Sequence, residues 1–223
     1  MSTAQQVADT MSRKIAHPIA LYYQNLGEQS PLYNGREYIE YSGKIQVGHP
    51  FYGTTEFTQG SIHYYGMEFE DAMMLYDIVK DRVIIRPYDK LSKIDLLVEK
   101  ISEFKLLDHH FVRLSPDSSH VIKEGFYDRL YQGKIGLFCK REKSLREELT
   151  RNDLVTVVDE KNTFFIEKQG VYYPVKTLRS LLKVLPNRKE TIRKYLDINH
   201  ITFRKNREAA ILMAVKHYDS FSN

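Results

Sequence analysis

Between residues 60 and 86, apolar and polar residues alternate in short segments separated by turn residues. The segments that alternate are 61–65, 67–70, 72–78 and 83–85. Successive side chains of a β-strand point to opposite faces of a sheet, so alternation of this kind predicts strands. Turn residues such as Gly66 between the segments predict hairpins, and the region as a whole predicts an antiparallel β-meander.

The strand pattern continues to about Tyr173. Its further segments are 94–98, 104–107, 111–114, 125–131, 134–140, 154–158, 164–168 and 171–173. Gln-Gly dipeptides predict two hairpin turns: residues 132–133 join segments 125–131 and 134–140, and residues 169–170 join segments 164–168 and 171–173. Residues 140–151 are rich in charged side chains without an apolar face, and they predict an exposed loop or a helical turn.

The hairpin at residues 132–133 divides its side chains between two faces. A two-residue turn there predicts that Leu130 pairs with Ile135 across the strands. Cys139 falls on the apolar face, which predicts a core thiol rather than a nucleophile. Asp128 falls on the apolar face of the hairpin, and Asp77 lies in a largely apolar strand. Both are predicted to be buried, hydrogen-bonded structural acids.

After Pro174 the apolar residues change to a helical spacing of about 3.6 residues per turn. The positions on the apolar faces are Val175, Leu178, Leu181, Leu182, Leu185, Ile192, Tyr195, Leu196, Ile211, Leu212, Val215 and Tyr218. They predict three short helices, which are too short to be stable alone and must pack on each other or on the sheet. Residues 5–24 also have helical spacing and predict an N-terminal helix.

These patterns together predict a mainly β (α+β) protein. The expected fold is a curved antiparallel β-meander or partial barrel, followed by a C-terminal helical subdomain. The expected organisation is an N-terminal helix or arm over residues 1–30, the β-meander over residues 31–173, and a basic helical subdomain over residues 174–223 that packs on the sheet. A chain of 223 residues is long enough to form one good core.

The composition excludes several classes of protein. The chain has one cysteine, so an internal disulfide is impossible. It has no run of about 18 apolar residues, so no transmembrane segment is expected. No phosphate-binding loop, GxSxG, HExxH or CxxC motif is present, and we expect neither catalytic residues nor a cofactor. The abundance of tyrosine, 16 residues, suits half-buried strands.

Charge is distributed unevenly along the chain. Residues 176–223 contain 11 Lys and Arg against 4 Asp and Glu, a net of +7, whereas residues 1–175 contain 22 against 25, a net of −3. A basic segment on a mildly acidic body indicates an anionic partner. The candidate residues for binding an anionic surface or a partner are Lys183, Arg188, Lys189, Arg193, Lys194, Arg204, Lys205 and Arg207.

Two other groups of polar residues are of types that can carry chemistry. His109 and His110 are adjacent, and adjacent side chains on a strand point to opposite faces, so the pair does not predict a metal site. Asp77, Asp81 and Asp95 are scattered near strand ends with Asp89. Hydrolysis by paired carboxylates needs two acids about 5–10 Å apart, which linear sequence does not establish.

Several turn and strand motifs of this chain resemble those of a known group of proteins. They are Leu32-Tyr33-Asn34-Gly35-Arg36-Glu37-Tyr38, Gly48-x-Pro50-Phe51-Tyr52, Gly60-Ser61-Ile62-x-Tyr64-x-Gly66, Leu75-Tyr76-Asp77-Ile78 and Gly125-Phe126-Tyr127-x-x-Leu130-Tyr131-x-Gly133-Lys134. Over residues 30–218 the chain resembles a group of uncharacterised, signal-peptide-bearing envelope proteins of the Bacteroidetes type. The resemblance implies export and a β-rich body without catalytic residues. Small residues at 2–4 before Gln5 look like the end of a signal-peptidase site.

The expected function is therefore a non-catalytic binding or structural protein of the envelope, periplasmic or associated with the outer membrane. The expected partner is another envelope protein or an anionic envelope surface. The main alternative is a cytoplasmic, nucleic-acid-associated module that uses the basic C-terminal helices, with nucleic acid the less favoured partner. An envelope hydrolase with scattered acids, and a carrier whose curved sheet encloses a lipid, also stay open.

Overall fold

A computed structural model describes residues 30–87, 91–116, 121–151, 153–186 and 188–221 of the chain. The helix predicted over residues 5–24 lies outside the described residues, as does all of the predicted N-terminal arm except Ser30.

Within this described part, eleven strands form an open antiparallel sheet. The strands are β1 (Gly35–Glu37), β2 (Thr58–Tyr64), β3 (Met67–Asp77), β4 (Arg82–Ile85), β5 (Ile94–Leu96), β6 (Ile101–Leu106), β7 (His109–Leu114), β8 (Gly125–Gln132), β9 (Gly136–Leu149), β10 (Leu154–Lys168) and β11 (Val171–Val175). Their order is β1-β5-β4-β3-β2-β6-β7-β8-β9-β10-β11, and the sheet does not close. The prediction of a mainly β, antiparallel fold with a helical C-terminus is confirmed.

The helices follow the last strand. They are α1 (Leu178–Val184), α2 (Lys189–Ile198) and α3 (Arg207–Ser220). A capping box begins α1: Thr177 Oγ1 accepts from the Ser180 N–H at 3.1 Å, and Ser180 Oγ accepts from the Thr177 N–H at 3.0 Å. Asn206 Oδ1 caps α3 by accepting from the Ala209 N–H at 3.1 Å.

The chain divides into two compact units. The first comprises residues up to 108 together with 144–158, and the second comprises 109–143 together with 159 onward. The division predicted from sequence, at residues 31–173 and 174–223, stays a prediction.

Paired strands with apolar inner faces form the core of the first unit. Leu75 of β3 and Ile84 of β4 are cross-strand partners, and they pack with Tyr38. Segments 67–70 and 72–78, predicted as separate strands, belong largely to the single strand β3. Asp71 lies between them in the left-handed region, with φ 58°, where the register with β2 shifts. This irregularity interrupts the alternation and explains why the pattern separated them.

The helices cover the apolar face of strands in the second unit. The buried residues of this core are Ile135, Leu137, Cys139, Phe164, Ile166, Val175, Leu181, Leu182, Leu185, Ile192, Leu196, Ala210, Ile211, Ala214 and Val215. The first six lie on or beside β9, β10 and β11, and the others lie on or beside the helices. Neither layer buries its apolar face without the other.

Two sequence-based predictions about β9 are wrong. Residues 140–151 are mostly strand, because β9 continues to Leu149 and the turn at Thr150 and Asp153 leads back into β10. Side chains from 144 to 149 are all exposed, so no alternation marks this extension. The register predicted with β8 is also wrong: Tyr131 pairs with Leu137, after a shift in register beyond Arg129. The connection spans residues 133–135, so Leu130 does not pair with Ile135.

Candidate functional site

Three of the eight predicted cations lie around one pocket. Arg193 belongs to α2, Arg204 to the connection that follows α2, and Arg207 is the first residue of α3. The other five are exposed and lie outside the described lining of that pocket: Lys183, Arg188, Lys189, Lys194 and Lys205.

The pocket lies within the second unit and has a volume of about 760 Å³. The start of α1, the second half of α2 and the connection to α3 form its walls. Its lining residues are Lys176, Thr177, Leu178, Arg179, Arg193, Leu196, Asp197, Ile201, Thr202, Phe203, Arg204 and Arg207. We call it the helical pocket.

Apolar side chains form the floor of the helical pocket. Leu196 is 3% exposed and belongs to the core of the second unit. Leu178, Ile201 and Phe203 are half-buried and pack against the same core. The floor therefore presents apolar surface that the protein itself does not fully cover.

Positive charge surrounds this floor. Arg193 Nη1 donates to Glu190 Oε1 at 3.1 Å. The four other cations that line the pocket, Lys176, Arg179, Arg204 and Arg207, form no ion pair with any residue that the structure describes. Asp197 is the single acid in the described lining. The pocket thus combines uncompensated positive charge with an apolar concavity.

The end of α2 shapes one wall of the helical pocket. His200 lies in the left-handed region, with φ 54°, and its N–H donates to the Asp197 carbonyl oxygen at 3.0 Å. The Ile201 N–H donates to the Leu196 carbonyl oxygen, also at 3.0 Å. These bonds form a Schellman motif, in which the residue after the left-handed position packs against the last helical turn. Ile201 and Leu196 consequently both contribute to the floor.

Sequence reasoning identified part of the rim but missed the floor. It also missed Lys176, which precedes α1, and Arg179 in the first turn of α1; the structure places both in the pocket lining with Arg193. The helical spacing assigned Leu178 and Leu196 to a core face without showing that a pocket opens beside them. The available signal was the pair Ile201 and Phe203, which are apolar, lie outside any helix and precede a basic run.

A buried carboxylate organises the polar interior of the first unit. Asp77 is fully buried and accepts from Tyr38 Oη at 2.8 Å and from Tyr41 Oη at 2.8 Å. The N–H groups of Val79 and Lys80 donate to Asp77 Oδ1 at 2.9 and 3.0 Å. The prediction of a buried, hydrogen-bonded structural acid at Asp77 is confirmed.

The two tyrosines bound to Asp77 make the first unit sensitive to alkali. Burial, followed by the hydrogen bond to Asp77, raises the pKa of Tyr38, and the same causes raise the pKa of Tyr41. A group whose folded-state pKa exceeds its unfolded value of about 10 contributes stability that is complete below that pH and is lost as the pH rises further. We expect urea denaturation to show stability falling between about pH 9 and pH 11, and falling less steeply for Tyr38→Phe. Equal slopes for both proteins would contradict this assignment.

A second buried network lies in the second unit. Asp128 is 1% exposed, and its Oδ2 accepts from Arg141 Nε and from His109 Nδ1, both at 2.7 Å. Arg141 also donates from Nη1 and Nη2 to the two carboxylate oxygens of Glu208 on α3, at 3.0 and 3.1 Å. The network confirms the predicted buried acid at Asp128 and ties β8 and β9 to a helix.

The two neighbouring histidines have separate partners. His109 donates to Asp128, whereas Arg129 Nη2 donates to His110 Nδ1 at 2.8 Å. Within the described residues, no group of three or more His, Cys, Asp and Glu side chains is arranged to hold a metal ion. Cys139 is fully buried, and burial raises the pKa of its thiol, so the prediction of a core thiol is confirmed.

A smaller pocket in the first unit contains one of the scattered acids. It has a volume of about 440 Å³, and its lining includes Asp95 with the cations Arg36, Lys80 and Arg82. Burial raises the pKa of Asp95, and its Oδ1 is buried without a hydrogen-bond partner among the residues that the structure describes. The second acid of this lining, Glu37, is exposed. Asp89 lies outside the described residues.

Comparisons with protein-family models, curated proteins and solved structures find no match for this chain. Among the described helices, none combines the length and the apolar character needed to cross a bilayer.

Proposed function

We propose that this is a non-catalytic binding protein that holds an anionic partner in the helical pocket. One observation carries the proposal: four cations that lack an ion pair with a described residue surround a half-buried apolar floor. Three of these four are arginines: Arg179 in the first turn of α1, Arg204 in the connection that follows α2, and Arg207 at the start of α3.

Electrostatics favours an anion at such a site. A cleft lined by charge of one sign, with low-dielectric walls, focuses the field and concentrates ions of opposite charge. The guanidinium group of arginine forms two parallel hydrogen bonds with a carboxylate or phosphate group, which adds geometric selectivity. The volume of about 760 Å³ falls within the range of about 300–1,000 Å³ that is usual for ligand pockets.

The proposed location is the cell envelope, in the periplasm or associated with the outer membrane. Its support is the resemblance of the motifs between residues 30 and 218 to exported envelope proteins. The partner is then an anionic envelope surface or an envelope protein with an acidic segment. Recovery of the protein in the cytosol on fractionation of the source cells would contradict this location and would favour the nucleic-acid alternative.

Charge reversal at the pocket tests the proposed function. We expect Arg204→Glu with Arg207→Glu to weaken binding to phosphatidylglycerol-containing vesicles about tenfold or more, because each cation near an anionic surface contributes about 1 kcal/mol. Co-sedimentation of the full chain with vesicles measures the effect. The change at Arg207 suits the first turn of α3, where a negative side chain is favourable, so the fold is expected to persist.

The matched control is Lys189→Glu with Lys194→Glu, which makes the same change of net charge on exposed positions of α2 outside the described pocket lining. We expect the control to weaken binding clearly less than the pocket variant does. Equal losses would show that net charge alone attracts the anion and would contradict a role for the pocket. Failure of the wild-type protein to bind either these vesicles or single-stranded DNA would contradict the proposed function as a whole.

A further inference from the structure

We infer that the helical pocket binds a single amphiphile that carries an anionic head group, carboxylate or phosphate, on one acyl chain. The inference rests on the proposed function and specifies its ligand. It assigns the head group to the cationic rim and the chain to the apolar floor.

The floor distinguishes an amphiphile from a small inorganic anion. Leu178, Ile201 and Phe203 are only half-buried, and Leu196 belongs to the core. An inorganic anion would leave this apolar surface in contact with water, whereas an acyl chain would cover it. Each methylene group that leaves water raises affinity about fourfold, so a chain that fills the floor adds several orders of magnitude.

The rim distinguishes an anionic head group from a neutral one. Lys176, Arg179, Arg204 and Arg207 provide donors without a competing ion pair among the described residues, and carboxylate and phosphate both fit arginine. Asp197 is the only acid in the described lining, and it disfavours a further negative charge beside it. An anionic head group therefore binds along the cationic part of the rim.

The lining also disfavours nucleic acid as the ligand. Sites for single-stranded nucleic acid stack successive bases on several aromatic side chains. Phe203 is the only aromatic residue in the lining that the structure describes. A cationic site whose apolar floor has a single aromatic side chain matches an acyl chain better than a row of bases.

Calorimetric titration of the full chain tests the ligand class, with the anionic amphiphiles kept below their critical micelle concentrations and dodecanol kept below its solubility limit. The probes are hexanoate, decanoate, dodecanoate, dodecyl phosphate, dodecanol and inorganic phosphate. We expect affinity to rise about fourfold per methylene from hexanoate to decanoate. We also expect dodecanoate or dodecyl phosphate to bind at least tenfold more tightly than dodecanol, and inorganic phosphate to bind weakly. The relative affinities of the carboxylate and the phosphate identify the preferred head group.

Variants locate the binding in the helical pocket. Arg204→Glu with Arg207→Glu should reduce the preference for dodecanoate over dodecanol, whereas Lys189→Glu with Lys194→Glu should retain it. Phe203→Ala should weaken dodecanoate more than hexanoate, and Ile201→Ala serves the same purpose if the first variant does not fold. Asp197→Asn should tighten binding of dodecyl phosphate, because it removes the negative charge of the only acid in the described lining.

Affinities that do not depend on chain length, or equal affinities for dodecanoate and dodecanol, would overturn the inference. If the wild-type protein binds anionic vesicles or single-stranded DNA but none of the amphiphiles, the ligand class is wrong and the proposed function stands. If it binds none of these probes, both are wrong.

Discussion

The substitution Arg141→Met is expected to lower the free energy of unfolding by about 3–5 kcal/mol, because it leaves a buried carboxylate without its cation. Arg141 is 7% exposed and donates to Asp128, which is more deeply buried still. Its other bonds connect β9 to Glu208 on α3, so the substitution also removes a link between strand and helix. Urea denaturation followed by circular dichroism measures the loss.

The control lies on the same strand. Arg146 Nη1 pairs with Glu148 at 3.2 Å, and both side chains are about half exposed. Exposed ion pairs contribute about 0–1 kcal/mol, so Arg146→Met should change stability by no more than that. Arg141→Met combined with Asp128→Asn should recover part of the loss, because the buried charge is removed with its partner. A loss from Arg141→Met as small as that from Arg146→Met would show that the network does not stabilise the fold.

Asp77→Asn is expected to have the second large effect and to lower the free energy of unfolding by about 2–4 kcal/mol. Hydrogen bonds to a charged acceptor contribute about 1.5–3 kcal/mol, and Asp77 accepts four from Tyr38, Tyr41 and two backbone N–H groups. An asparagine carries no charge, and its amide NH₂ group is a donor where Asp77 has an acceptor oxygen. At least one buried donor is then left without an acceptor. Thermal unfolding and urea denaturation both report the change.

The same substitution at Asp71 is the matched control. Asp71 lies on β3 with Asp77, but it is exposed, and its Oδ1 accepts a single side-chain bond from Gln59 at 2.9 Å. Asparagine tolerates its left-handed backbone, so Asp71→Asn should stay within about 0.5 kcal/mol of wild type. Comparable losses at the two positions would contradict the role given to Asp77.

Local periodicity identified most of the elements because burial on one face imposes it. The alternation around residues 61–65 is present in the structure as β2, and the helical spacing from Leu178 onward is present as the three helices. Val175, which the spacing assigned to a helical face, is instead the last residue of β11. Periodicity did not predict the strand where its side chains are not buried. Residues 144–149 are strand with every side chain exposed, so nothing in their polarity distinguishes them from a loop.

Partners that are distant in sequence were beyond the same reasoning. The positions of Asp77 and Asp128 on apolar segments indicated that each is a structural acid, but not which residue satisfies it. Asp77 accepts from a tyrosine 39 positions earlier, and Arg141 donates to a glutamate 67 positions later. The helical pocket was not predicted from the sequence for the same reason. Its rim was visible as local positive charge, whereas its floor exists only after three separate segments meet.

The buried thiol of Cys139 reports how often the core around it opens. It is the only cysteine in the chain, and it lies fully buried on β9, in the core that the helices cover. An alkylating reagent reaches it only while that core is separated, so the labelling rate reports how often the helices leave the strands. A ligand that fills the helical pocket would lower the labelling rate of Cys139 in proportion to its occupancy. Labelling can therefore reveal binding before the ligand is identified.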